Sequence, residues 1–535
     1  MVDNIKHHQN TTRLIAIHSA FSAATFKGES WSGIWLALLF CVASCDSHTT
    51  PDFQRLAPAD VSAVAAQKTV RFALASAVIN LDPRYATDAA SSRVIRLLYR
   101  PLVDFDAHNQ ARADCADWEK LKPRWYRFRL LDSCGAFHNG MAITSDDVIA
   151  TYRSILDPAS ASPFKQRLDI IRHIYRVDDK RLDFELRQDD PLFPAYLDIG
   201  ILPQALIRQG HLFSQAPIGN GEFKLLRFDA PGNLLLQRRR DGLRVQFLHV
   251  PDPTVRMLML LRNEIDLCQN DLTPELVNYA RKQAALTVLQ GKGSNFSYLG
   301  FNLKDPSLAD IRVRRAIAMS IDRDDIIKHV FYGAAEKASS VLANDHWVFD
   351  RSFTTPTFDP KKARQLLSQA GYKDKILHIS YKTSKDPFRI RLATVIQSQL
   401  HAVGIDMDIQ SLDWGSFFAD VKAGRFQIYS LSWVGIRTPD IYRQIFHSQS
   451  LAPKGANRGY FSNTTVDRLL DDAISSDDLS QIRHDYSEVQ QIVLQQLPYV
   501  PLWYEDHIAI SNRHLSGYHL NRSGNYDSLS QVSWH

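Results

Sequence analysis

The chain has 535 residues, 45% of them hydrophobic and 23% charged, the composition of a folded protein with room for two or three domains. Its net charge of +5 is small for this length, and no dense Lys/Arg stripe with interleaved aromatics is present, which argues against dedicated nucleic-acid binding. The tightest basic run, QRRRDG at 237–242, reads as a solvated hairpin.

Residues 1–30 are mostly polar or small and show no period. An apolar run at 34–42 is too short to span a bilayer as a normal helix, and it ends in Val42-Ala43-Ser44-Cys45. A short hydrophobic core, small residues and then Cys is a signal-peptide pattern. Its form resembles a bacterial lipoprotein signal, which implies lipidation of Cys45 as the mature first residue; an ordinary signal peptide or a buried segment are the other readings. The stretch ahead of the run is long for a signal peptide, which leaves open whether Met1 is the true start. Acyl chains on Cys45 would anchor the protein. Asp46 resembles an inner-membrane retention signal, and the Ser, Thr, Pro and Ala of 46–67 read as a tether.

Residues 69–75 alternate as a strand that leads to Leu81-Asp82-Pro83 and a helix ending at Tyr99. Residues 126–131 alternate as another, with Tyr126, Phe128 and Leu130 on one face. Cys115 and Cys134 flank this strand and can pair in an oxidising compartment, leaving Cys268 as a buried thiol. No Cys/His spacing points to zinc, and no metal or cofactor is expected. Phe137-His138-Asn139-Gly140 carries a turn signal, and Thr144 with Asp147 forms a capping-box pattern. His138 is a tempting ligand or base, but this block resembles a hairpin that extracytoplasmic solute-binding proteins use for packing, which implies a turn brace instead.

Residues 298–303 form a short apolar strand carrying Asn302. In the next helix Val313, Ala316, Ile317 and Ile321 share one face; a second begins at the N-cap Asp322 and ends near Gly333. Further on, strands are expected at 377–381, 406–412 and 426–433, with helices between them and aromatic Trp414, Phe417 and Phe418 at a helix start.

Several blocks in this order resemble the extracytoplasmic solute-binding proteins of peptide and nickel ABC transporters. They are Leu81-Asp82-Pro83, Phe137-His138-Asn139-Gly140, the turn at 217–223, Val313-Arg314-Arg315-Ala316-Ile317, the helix from Asp359-Pro360 to Ala370-Gly371-Tyr372, Phe461-Ser462-Asn463 with Asp467, and Tyr499-Val500-Pro501-Leu502-Trp503. The resemblance implies a periplasmic-binding-protein-like α/β fold of two lobes, each with a mixed sheet flanked by helices. It implies a two-segment hinge, crossing near 298–302 and 499–503, and an extra subdomain in the first lobe. The expected organisation is a signal peptide at 1–45, a tether at 46–67, a first lobe at 68–300 with the subdomain inserted at about 93–214, a second lobe at 301–500, and a return to the first lobe at 501–535.

It also implies a lipoprotein anchored at the inner membrane, expected to be a monomer, that captures a peptide or small anionic solute and delivers it to ABC permease subunits. Peptide-binding relatives carry an Asp in the loop after the strand at 426–433, where this chain has Ile436. Arg437 offers a donor fork suited to a carboxylate, or else it faces solvent or pairs with Asp440. Trp433, Trp414, Phe417 and Tyr298 are candidate cleft walls, Asn302 lies beside them, and Arg458 is a second anion donor. An enzyme is the rival class, but no GxSxG, HExxH or Walker loop is present. A nickel- or haem-chelate binder, and a ligand sensor or exported peptide chaperone, are the alternatives among binders.

Overall fold

A computed structural model describes residues 69–535 apart from 230, 231, 354, 453 and 454. The signal peptide, the tether and the proposed lipidation of Cys45 lie outside the described residues.

The fold is organised on two long neighbouring antiparallel strands, Leu286–Phe301 and Tyr499–Asn512. On one side of them the sheet continues through Ile428–Trp433, Leu377–Ser384 and Ile405–Leu412. On the other it continues through Leu267–Gln269, Thr69–Leu74, Arg244–His249, Asn233–Arg238 and Phe223–Asp229. Period-2 alternation sends side chains of each strand to opposite faces, and each lobe accordingly has two cores. In the first lobe Val70, Phe72 and Leu74 enter one core while Ala73 enters the other with Met257, Ile508 and Ile510. In the second, Leu299 and Phe301 face Ile317, Ile379 and Ile405, whereas Phe296 and Tyr298 face Phe417, Tyr429 and Tyr486. The helical face Val313, Ala316, Ile317 and Ile321 is buried as its spacing predicts, and Asp322 caps the following helix by accepting from Asp325 N at 2.9 Å.

The crossing points differ from those expected. Leu502, Trp503 and Tyr504 pack in the second lobe, and Ile508 in the first, so the return strand changes core near Glu505 rather than at 501. Its neighbour changes near 292–294, where the pairing register shifts between Gly291 and Asn295. A Cβ on Gly293 would lie 1.9 Å from the Glu505 carbonyl oxygen, so only glycine lets the two strands pass this closely. Both strands turn polar at the change, QGKGSN at 290–295 and EDH at 505–507, a break that the placement implied by the resemblance passed over.

The inserted subdomain is a four-stranded sheet, Ala116–Lys122, Trp125–Leu130, Arg181–Leu186 and Ile171–Arg176, covered by the helix Ser145–Leu156. Its core spans 102–201, narrower than 93–214, because the helix Ala89–Leu98 and Leu202 and Phe213 pack into the first lobe instead. Asp147 accepts from Thr144 N at 2.9 Å, closing the helix start. Cys115 and Cys134 are bonded, and Asn220 donates to both sulfurs at 3.3 Å, tying the subdomain to the turn at 217–221. Cys268 is a buried thiol. His138 braces that same turn: its backbone N–H donates to Gly219 O at 2.7 Å and its ring lies 3.2 Å from Gly221 O. The run at 237–242 is not a fully solvated hairpin. Arg238 is buried and donates to the carbonyls of Leu529, Ser530 and Val532, pinning the carboxy-terminal segment to the sheet.

Candidate functional site

The strands Leu377–Ser384, Ile405–Leu412 and Ile428–Trp433 are parallel, and their carboxyl ends lie on the side where the crossing strands leave for the first lobe. The crevice outside such ends is where open α/β sheets bind ligands. Trp433 ends one of these strands and pairs with Phe296, and the helix Trp414–Lys422 follows another. The predicted site residues separate here into a stack, a latch and a supporting core.

The stack contains Trp414, Arg458, Trp433 and Tyr298. The Arg458 guanidinium lies over the Trp433 ring at 5.0 Å and over the Phe418 ring at 5.3 Å, and its Nη1 donates to Tyr298 Oη at 3.2 Å. Phe418 in turn stacks on Trp414 at 5.5 Å and 6°. Phe418 was not among the predicted site residues. A helix places i+3 and i+4 about 100° apart, and it is Phe418 that faces Arg458 while Phe417, 1% exposed, turns into the core. Tyr298 is fully buried and stacks on Tyr499 at 4.1 Å, so only its hydroxyl reaches the site. Trp414 is 60% exposed.

The loop carrying Arg458 is rigid. Asn457 is buried, donates to His447 O and Phe461 O at 3.2 and 2.7 Å, and accepts from Phe461 N at 3.0 Å. A Cβ on Gly459 would meet Phe301 O at 2.4 Å, and Tyr460 adopts φ 60°, a conformation costly for a residue with a side chain. Asn302 belongs to this support: its amide donates to Gly424 O at 3.3 Å and Phe426 O at 3.0 Å, which leaves it out of the stack.

Arg437 forms the latch. It reaches across to the first lobe, where Nη1 donates to Asp104 Oδ1 at 3.4 Å and the guanidinium lies 5.1 Å from the Phe105 ring. With its amide oxygen turned to the donors, Asn525 accepts from Arg437 Nη2 at 2.8 Å and Arg96 Nε at 3.0 Å. Arg96 also bridges Asp104 and Asp527 at 2.9 and 3.0 Å. Burial pushes the Arg437 guanidinium down in pKa, with repulsion from Arg96 adding to it and Asp104 opposing. Burial would raise the Asp104 carboxyl, but the charge and hydrogen bonds of Arg96, helped by Arg437, outweigh it and the net direction is down. The Arg437 carbonyl lies 3.0 Å from His346 Nε2, whose ring burial holds neutral with a pKa of about 4. Arg437 therefore neither faces solvent nor pairs with Asp440, and Asp104, Arg96 and Asn525 are partners that no local pattern could have named.

Asp440 precedes the helix Ile441–Phe446, and its carboxylate accepts from Gln444 at 3.4 Å. Burial raises its pKa. Burial likewise pushes Asp190 of the inserted subdomain up to about 7, with the charge of Asp440 adding to it against hydrogen bonds from Leu192 and Tyr196. Where the hairpin Val103–Phe105 and Ala111–Ala113 approaches the second lobe, an open cavity of about 680 Å³ is lined by His108, Gln110, Trp347, Asp350, Arg351 and Arg483. Trp347 N donates to His108 O at 3.2 Å at its edge, and Arg522 pairs with Asp345 nearby.

Residues 118–452 match the family model described as bacterial extracellular solute-binding proteins, family 5 middle. The chain is similar to the oligopeptide-binding protein AppA of Bacillus subtilis, 25% identical over 81% of this chain and 86% of that protein. It is similar to the di/tripeptide-binding protein 2 of Pseudomonas aeruginosa, 29% identical over 74% of this chain and 81% of that protein. Among solved structures, the ABC transporter substrate-binding protein CtaP of Listeria monocytogenes superposes with a TM-score of 0.78 at 21% identity, over 87% of this chain and 99% of that one.

Proposed function

Because this chain belongs to the family 5 bacterial extracellular solute-binding proteins, we propose that it captures a peptide or peptide-like solute between its lobes and hands it to an ABC permease. The observation that carries the reading is the wall of Trp433, Phe418, Arg458 and Tyr298 at the carboxyl ends of the second-lobe strands, facing a first lobe to which the paired crossing strands lead. Aromatic walls with a few fixed polar groups suit a ligand with apolar and charged parts. The names of the relatives, an oligopeptide-binding and a di/tripeptide-binding protein, support a peptide as that ligand.

In this reading the protein binds and releases without chemistry. Cys45 carries acyl chains that hold it at the outer face of the inner membrane, residues 46–67 tether it, and it works as a monomer. The latch at Arg437 and Asp104 holds the closed form, and the bulge at 292–294 with Glu505 is where the lobes turn.

Calorimetric titration of unfolded and refolded, ligand-free protein with defined di-, tri- and nonapeptides tests this. Saturable one-to-one binding to at least one class is expected. Binding of a nickel–histidine chelate with no response to any peptide would overturn it and favour metal-chelate transport. Turnover of a peptide in the same cell would contradict the non-catalytic role.

A further inference from the structure

A half-buried guanidinium normally meets a carboxylate, because an uncompensated charge away from water is expensive. Several arginines at the lobe boundary follow this rule. Arg96, Arg389, Arg437 and Arg522 each form an ion pair. Arg458 has no carboxylate partner among the described residues; its polar contact is the Tyr298 hydroxyl at 3.2 Å. Beside it, the indole Nε1 of Trp433 is buried without a hydrogen-bond partner. One place thus joins a forked cation that lacks a carboxylate partner among the described residues and a buried N–H without an acceptor.

Everything around Arg458 holds it there. Phe418 and Trp433 flank the guanidinium plane, the Asn457 hydrogen bonds fix the residue before it, and Gly459 and the strained Tyr460 fix the residues after it. A surface arginine needs no such support. Strain of this kind persists where a geometry is over-determined, commonly at binding sites.

We propose that Arg458 and the Trp433 indole N–H form a carboxylate-binding subsite on the second-lobe wall, which selects peptides bearing a carboxylate at the position seated against Trp433. Two donors and no acceptor match a carboxylate's two oxygens, and the guanidinium fork suits bidentate pairing. The flanking rings exclude water and strengthen the pair without competing for the oxygens. This rests on the peptide-binding reading above. The carboxylate has two sources in a peptide, its terminus and an acidic side chain.

The test uses calorimetry on the wild type, Arg458→Met, Arg458→Lys and Trp433→Phe, with four probes: trialanine, its carboxy-terminal amide, Ala-Glu-Ala-amide and Ala-Gln-Ala-amide. In the wild type, a terminal-carboxylate subsite predicts that trialanine binds at least 30-fold tighter than its amide. A side-chain subsite predicts the same preference for the Glu over the Gln peptide. Either preference should vanish in Arg458→Met, persist in part in Arg458→Lys, and shrink several-fold in Trp433→Phe, with Arg437→Met retaining it. Met preserves the stem between the rings, and Trp433→Phe keeps an aromatic ring while removing the N–H with the pyrrole part of the indole, so one variant remains informative if the other fails to fold. Equal binding of acid and amide in the wild type, or a preference untouched in the variants, overturns the subsite while leaving peptide binding intact. Absence of binding to all four probes, with longer peptides also silent, overturns both.

Discussion

Arg437 and Arg458 project from neighbouring loops of the second lobe, and their surroundings are opposite. Arg437 reaches the first lobe, where Asp104 and Asn525 take its hydrogen bonds and Arg96 and Asp527 extend the ion-pair group. Arg458 stays on its own lobe, between two aromatic rings and with no carboxylate. Cation neutralised by the opposite lobe stabilises closure whether or not a solute is present. A cation held rigid but unpaired gains its partner only from what enters. The difference separates holding the lobes together from recognising the cargo.

The comparison breaks first at Asp104. Asp104→Asn leaves Arg437 without an ion pair in a half-buried site and should lower stability by about 3 kcal/mol, read from chemical denaturation. An unchanged midpoint would show that the latch carries no energy. Arg437→Met should cost less, about 1 kcal/mol, since Arg96 still holds Asp104 at 2.9 Å. Arg458→Met should leave the midpoint within about 0.5 kcal/mol of wild type, because no protein charge is orphaned.

A pH series sharpens the contrast further. Asp104 is held below the usual carboxylate range, so its contribution is present above an ordinary Asp pKa and is lost as pH falls through its lower folded value. Asp190 has the opposite sign. With a folded pKa of about 7, its ionisation is penalised in the folded state, so stability declines as pH rises from about 4 toward 7. Asp190→Asn should therefore raise the melting temperature at pH 8 and lose that gain near pH 4; an equal effect at both would contradict the assignment. The smallest effect is expected at Trp414, which is 60% exposed: Trp414→Ala should barely change stability, while weakening binding of peptides long enough to reach beyond Phe418.

Local periodicity carried much of the fold. The helix face of Val313, Ala316, Ile317 and Ile321 and the N-cap Asp322 follow from spacing and capping chemistry that act within a few residues, whereas the turn brace His138 was implied by the resemblance. The crossing points were misplaced because they were taken from the resemblance, whereas polar breaks at 290–295 and 505–507, together with the steric demand at Gly293, mark the change. In the site, Trp433, Tyr298 and Arg458 were visible as aromatic and cationic residues in cleft loops. Their grouping was not, and neither was the choice of Phe418 over Phe417, which depends on how the helix rolls against the sheet. The pairing of Arg437 with Asp104 joins residues 333 positions apart, beyond the reach of any sequence pattern.

The claim on which the account rests is that the lobes close on a bound solute. Small-angle X-ray scattering of ligand-free protein, before and after saturation with a peptide shown by calorimetry to bind, tests it most directly. The account predicts a contraction in radius of gyration on binding and a profile for the complex that matches the structure in which Arg437 meets Asp104. Superimposable profiles with and without bound peptide, both extended or both closed, would contradict it.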